Sequence, residues 1–228
     1  MKRIAFVAPW YGDNIPGGAE AALRGITDHL FAAGMDIEIL TTTVEKFTAD
    51  WNKDFYKPGS YTSKNGIPIR RFKIRKRNTA AFDAVNAKLI QKSGLTLEEE
   101  NTFHKEMINS PDLYDYIREN RAQYSCFVFI PYMFGTTYWG VQACPGQAVL
   151  IPCFHDESYA HMKTFRTIYS EVAGMLFNAQ PEIQMRKHRL HSDRRKLHAI
   201  EFRILERNWQ TDRESWDEEE LNVRVVWQ

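Results

Sequence analysis

The chain has 228 residues, 43% of them apolar, enough for one large domain or a domain with an appendage. Its net charge of +1 gives no general reason to expect nucleic acid or a membrane surface as partner. Cys126, Cys144 and Cys153 include no C-x-x-C pair, so they read as buried free thiols in a reducing cytoplasm rather than as a disulfide framework.

The first element, Ile4 to Ala8, is apolar throughout and stops at Pro9, the pattern of a strand buried on both faces. So short a run is neither a secretory leader nor a membrane span, and peripheral membrane contact is the most that is expected. A turn-rich segment closes on Pro16-Gly17-Gly18. From Ala19 to Ala33, Ala22, Leu23, Ile26, Leu30 and Ala33 share one helical face, and Gly34 stops the helix. Ile37 to Leu40 is a second strand. Strand, glycine loop, helix and strand make the first unit of a doubly wound α/β domain, and the loop lies where such domains bind ligands. Gly17 and Gly18 remove side chains beside free helix N–H groups, which suits a phosphate or diphosphate. A plain turn into a helix accounts for the same pair. The spacing is not G-x-G-x-x-G, which disfavours nicotinamide and flavin.

Thr41 to Lys64 reads as a polar loop containing aromatic residues, and Asn65-Gly66 as a turn. Ile67 to Ile74 alternates as a third strand, at an edge because of Pro68. The run Arg70 to Arg77 is the most basic in the chain, either a solvated edge or a contact for an anionic acceptor or lipid headgroup. A helical insertion follows over about 80–122: two helices broken at Ser93-Gly94, then a third capped by Ser110-Pro111. Thr96 and Glu99 form a capping-box pattern for the second, while Leu113, Tyr116, Ile117 and Ala122 face the core from the third. Cys126 to Ile130, Ala148 to Ile151 and Gly174 to Phe177 are further strands, ending in loops at Pro131–Gly135, Pro152–Ser158 and Asn178–Pro181. Helices are expected over Thr136–Cys144, from Tyr159 to Ala173 and from Pro181. This alternation predicts a single Rossmann-like α/β domain over 1–185, with a mostly parallel sheet and helices on both faces.

Ala8-Pro-Trp-Tyr-Gly with Pro16-Gly-Gly-Ala-Glu20, Phe129-Ile-Pro-Tyr-Met-Phe-Gly-Thr-Thr137, Ile151-Pro-Cys-Phe-His-Asp-Glu157 and Leu176-Phe-Asn-Ala-Gln-Pro-Glu182 occur in that order, each at the end of a strand. Together they resemble the N-terminal, acceptor-side half of family 4 retaining glycosyltransferases of the two-domain GT-B fold. The resemblance implies that Gly17 and Gly18 lie against the diphosphate of a nucleotide-sugar donor. It implies that His155 is catalytic, beside the transferred sugar, and that Glu20, Tyr132, Phe134, Asp156 and Glu157 belong to the acceptor pocket. The donor would be a co-substrate, the acceptor a carbohydrate or lipid-linked sugar, with no cofactor and no metal. The location would be cytoplasmic, at most peripheral to the inner face of the membrane. Without the resemblance, His155 reads as a satisfied polar residue at a strand end, and His155, Asp156, Glu157 and His161 fit no common zinc spacing.

Residues 186–228 are charge-dense and lack glycine and proline, so a charged tail, helical or partly disordered, is expected. Glu206 and Glu214 have seven residues between them, as in a motif of the family's second half, but no glycine loop precedes them. That half, which carries most donor contacts in the family, is expected to be missing through truncation or a frame shift, or to be a separate partner chain. The alternative is a non-catalytic carbohydrate- or nucleotide-binding module, or a remnant.

Overall fold

A computed structural model describes residues 2–155, 157–178 and 199–201. In chain order the elements are β1 (Arg3–Ala8), α1 (Gly18–Ala32), β2 (Ile37–Thr42), β3 (Gly59–Thr62), β4 (Pro68–Phe72), α2 (Thr79–Ile90), α3 (Leu97–Glu106), α4 (Pro111–Asn120), β5 (Tyr124–Phe129), α5 (Gly135–Ala143), β6 (Ala148–Leu150), α6 (Lys163–Glu171), β7 (Gly174–Phe177) and β8 (Ala199–Glu201). The sheet runs β3-β4-β2-β1-β5-β6-β7-β8. Only β3 is antiparallel. Without β3 and β8, the strand order is that of a dinucleotide-type doubly wound sheet, with its switch point between β1 and β5. This is the α/β architecture that the alternation of elements predicts. No helix among the described residues is long and apolar enough to cross a membrane.

Handed connections sort the helices between the two faces. The chain leaves β1 for β2 in one direction and β5 for β6 and β7 in the other, so right-handed crossovers send the helices to opposite sides. Phe6 and Ala8 pack with Leu23, Ile37, Ile39 and Val128 on the α1 side. Ala5, Val7, Phe127 and Phe129 point the other way, into a larger core with residues of α2 to α6 such as Phe103, Ile117 and Phe165. The period-two alternation of the strands thus feeds two cores.

Local chemistry fixes most helix ends. Asn78 accepts from the Ala81 amide to start α2, Thr96 and Glu99 form a reciprocal capping box on α3, and Ser110 caps α4 ahead of Pro111. At the end of α1 the Met35 amide reaches Leu30 O and the Gly34 amide reaches Phe31 O, a Schellman motif with Gly34 at φ 79°.

Several sequence expectations are corrected. The loop before Asn65-Gly66 contains β3, whose four residues are all exposed, so it carries no apolar alternation to read. It pairs with β4 from Thr62↔Pro68 onward, so β4 is not the edge. Instead of one helix from Tyr159, a 3-10 turn at Ser158–His161 gives way to extended Met162, and α6 begins at Lys163. The cause is remote: Glu100 of α3 accepts from the Lys163 and Thr164 amides and sets the start of α6. Ala122 is exposed, and Tyr114 takes its expected place inside α4. Within the tail, Ala199–Glu201 is extended and parallel to β7 rather than helical. Asp156, the helix expected from Pro181, and Glu206 and Glu214 lie outside the described residues.

Candidate functional site

The loops after β1, β5 and β6 leave the carboxyl edges of adjacent strands, so Gly17, Gly18, Glu20, Tyr132, Phe134, His155 and Glu157 all belong to one edge of the sheet. The switch point lies between the first two of these loops. The cleft there is lined by Ala8, Pro9, Trp10, Glu20, Ile130 and Pro131 among others and encloses only about 10 Å³. That is about the room needed by one water molecule.

Glu20 accounts for the tightness of that cleft. Trp10 Nε1 donates to Glu20 Oε1 at 2.6 Å, which draws the carboxylate back over the start of α1. Gly17 has φ 136°, which demands glycine, and a Cβ there would also displace the Glu20 carboxylate from its place over the start of α1. A Cβ on Gly18 would meet nothing within 4 Å. The N-terminus of α1 has no side-chain cap, and its first intrahelical bond runs from the Ala21 amide to Gly17 O. Its leading N–H groups therefore favour an anion, in an opening beside Gly18 and next to the Glu20 carboxylate.

Beyond β5, Phe134 and Tyr132 turn inward. Phe134 packs edge-on against Trp10 at 4.8 Å between ring centroids, with Trp51 and the 58%-exposed Phe47 completing an aromatic cluster. Tyr132 is 1% exposed, and its hydroxyl donates to Glu157 Oε1 at 2.9 Å. Burial and the neighbouring Glu157 push its pKa up, which keeps that donor protonated. Gly135 opens α5 because a Cβ there would strike Ile108 O. This helix also lacks a side-chain cap. After β6, His155 is exposed, with its backbone carbonyl accepting from the Glu157 amide. The structure therefore brings Glu20, Trp10 and Phe134 together in one group and Tyr132 and Glu157 in another.

The arginines of the basic run, Arg70, Arg71, Arg75 and Arg77, are engaged within the fold, while Lys73 and Lys76 are exposed. Arg71 is buried, donating to Tyr11 O at 2.8 Å and Thr42 O at 3.3 Å beneath the rings of Tyr56 and Tyr61. Burial lowers its pKa. Arg70 binds Glu38 and lies over Tyr116, Arg75 binds Glu106, and Arg77 sits against Trp51 and Phe82. Arg71 thereby ties the loop after β1 to β2 and β4, a positioning role that the basic composition did not reveal.

A second feature was missed. The turn between α2 and α3 leans toward the 3-10 turn after β6 and encloses a cavity of about 380 Å³. Leu89, Glu100 and Met162 form its buried floor, and Lys92, Ser93, Gly94 and His161 its exposed rim. Glu157 lines it as well, which joins the cavity to Tyr132. Ser93-Gly94 was visible as a helix break, but nothing local announced what the break would face.

Below the floor, Thr164 Oγ1 donates to Glu100 Oε2 at 2.9 Å, so the 2.7 Å contact from His104 Nε2 must be a donation to that hydroxyl. His104 is buried, its Nδ1 is without a partner, and its ring stacks on Tyr138 at 3.7 Å. Burial holds its pKa down at about 3. Among the described residues no three His, Cys, Asp or Glu side chains are grouped as a metal ion would need. A scan against protein-family models returns no match for this chain, and a comparison with curated proteins returns none either.

Proposed function

We propose that this chain is the acceptor-side half of a retaining glycosyltransferase, which works with a donor-binding half to move a sugar from a nucleotide-sugar to a carbohydrate or lipid-linked acceptor. The observation that carries the reading is the start of α1: an uncapped helix N-terminus at the switch point of the sheet, with open space at Gly18. The motifs in the loops after β1, β5 and β6, arranged along one edge, agree with it.

In this reading the α1 amides bind the donor diphosphate and stabilise the charge that grows on it as the glycosidic bond breaks. His155, exposed on the loop after β6, donates a hydrogen bond to the transferred sugar and orients it. Glu157, fixed by the Tyr132 hydroxyl, accepts from an acceptor hydroxyl. Helix dipole and backbone amides serve where another enzyme would use a metal, and the setting is cytoplasmic.

Calorimetric titration of the full chain with uridine, guanosine and adenosine diphosphate sugars tests the reading. One donor class is expected to bind, and Gly18→Val to weaken it about tenfold by closing the approach to the α1 amides. His155→Ala should weaken the nucleotide-sugar but leave the bare nucleoside diphosphate unchanged. No binding in any class even with a donor-binding half added, or binding indifferent to both substitutions, would overturn the proposal. Binding that never leads to transfer, even when donor-binding halves are added, would support a non-catalytic module instead.

A further inference from the structure

The cavity between the α2–α3 turn and the loop after β6 is not used by the diphosphate site. Its volume of about 380 Å³ falls within the range of roughly 300–1,000 Å³ typical of small-molecule pockets. Leu89, Leu95 and Met162 offer C–H surface, while Glu157, His161 and Ser158 offer hydrogen-bonding groups of both senses. Among the described residues no Phe, Tyr or Trp lines it, so a nucleobase finds no ring there to stack on. A phosphate group would meet two carboxylates, Glu100 and Glu157, against the ammonium of Lys92 on the exposed rim. The Glu100 carboxylate is already committed to the Lys163 and Thr164 amides, which offset its charge. Glu157 Oε1 accepts from Tyr132, which leaves Oε2 as an acceptor for a ligand. Apolar patches among carboxylate acceptors and hydroxyl, imidazole and ammonium donors match a pyranose ring, whose faces are C–H and whose rim is hydroxyl.

We propose that this cavity binds one saccharide residue of the acceptor, held by Glu157 and His161 over the apolar floor; its assignment to the acceptor rests on the transferase reading above. The helical insertion then selects the acceptor, and the Tyr132–Glu157 bond joins that selection to the sheet edge where the donor lies.

Saturation-transfer NMR on the full chain with methyl α-glucoside, methyl α-mannoside and methyl β-N-acetylglucosaminide tests it. At least one glycoside should receive saturation at its ring protons. Glu157→Gln and His161→Ala should each weaken it about fivefold to tenfold, roughly the worth of one hydrogen bond. Neither should disturb folding: His161 is exposed, and glutamine can still accept from Tyr132. Gly94→Phe is a second route, because a Cβ there meets no atom within 4 Å and the ring can enter the cavity without unfolding it. Absence of binding by all three glycosides overturns the pocket, as does binding unaffected by all three substitutions. Glycoside binding lost in these variants, in a chain that binds no nucleotide-sugar, keeps the saccharide site and removes the transferase reading.

Discussion

The helix starts of this molecule fall into two groups. Those of α2, α3, α4 and α6 are closed by side chains: Asn78, Thr96 with Glu99, Ser110, and Glu100 reaching across from α3. Those of α1 and α5, on either side of the switch point, have no side-chain cap. Both groups face the same demand to satisfy leading amides, and among the described α-helices it is left without a side-chain partner at the switch point alone. Where the fold needs rigidity, side chains close its helix ends; at the start of α1 Gly18 leaves open space, whereas Gly135 at the start of α5 is glycine because it packs against Ile108 O.

Breaking the closed group should cost the most stability. Glu100→Ala removes acceptors from two α6 amides and from the Thr164 hydroxyl, and about 3 kcal/mol is expected, because bonds to a buried carboxylate are the stronger kind. Urea denaturation should show it as a lower midpoint with an unchanged slope.

Acid should attack the same cluster. His104 has its pKa lowered from 6.5 to about 3 by burial, so between these values the unfolded chain takes up a proton that the folded chain refuses. The stability is fully present above pH 6.5 and is lost as pH falls toward 3, amounting to about 2 kcal/mol at pH 5. His104→Gln, which can still donate to Thr164, should flatten that part of the stability-versus-pH curve. An unchanged slope would refute the buried neutral imidazole. A smaller loss, about 1–2 kcal/mol, is expected for Ser110→Ala, which removes the α4 cap and a bond to Lys73 O.

What the sequence disclosed divides along similar lines. Thr96 with Glu99, Ser110-Pro111 and Gly34 could be read because each acts within a few residues of itself. The parallel strands were legible because both their faces are buried. β3 was not, since Gly59–Thr62 is exposed and owes its conformation to pairing with β4. Arg71 looked like surface charge because its covering rings, Tyr56 and Tyr61, arrive from the segment read as loop. At the candidate site, the glycines and the edge of the sheet were foreseen, whereas the Trp10–Glu20 closure and the cavity under Ser93-Gly94 depend on tertiary approach.

The smallest stability effect should be the most informative about the open group. Glu20→Ala removes the Trp10 bond, and about 1 kcal/mol of stability should go with it. It also takes a negative charge from the third position of α1, where it competes with any anion for the same amides. If the start of α1 is a ligand site, Glu20→Ala should bind a nucleoside diphosphate about threefold to tenfold more tightly while being less stable. If it is only a turn into a helix, the variant should lose stability and gain no affinity. A stability loss paired with an affinity gain is hard to obtain from a purely structural carboxylate, because a group that serves folding alone has no ligand to exclude.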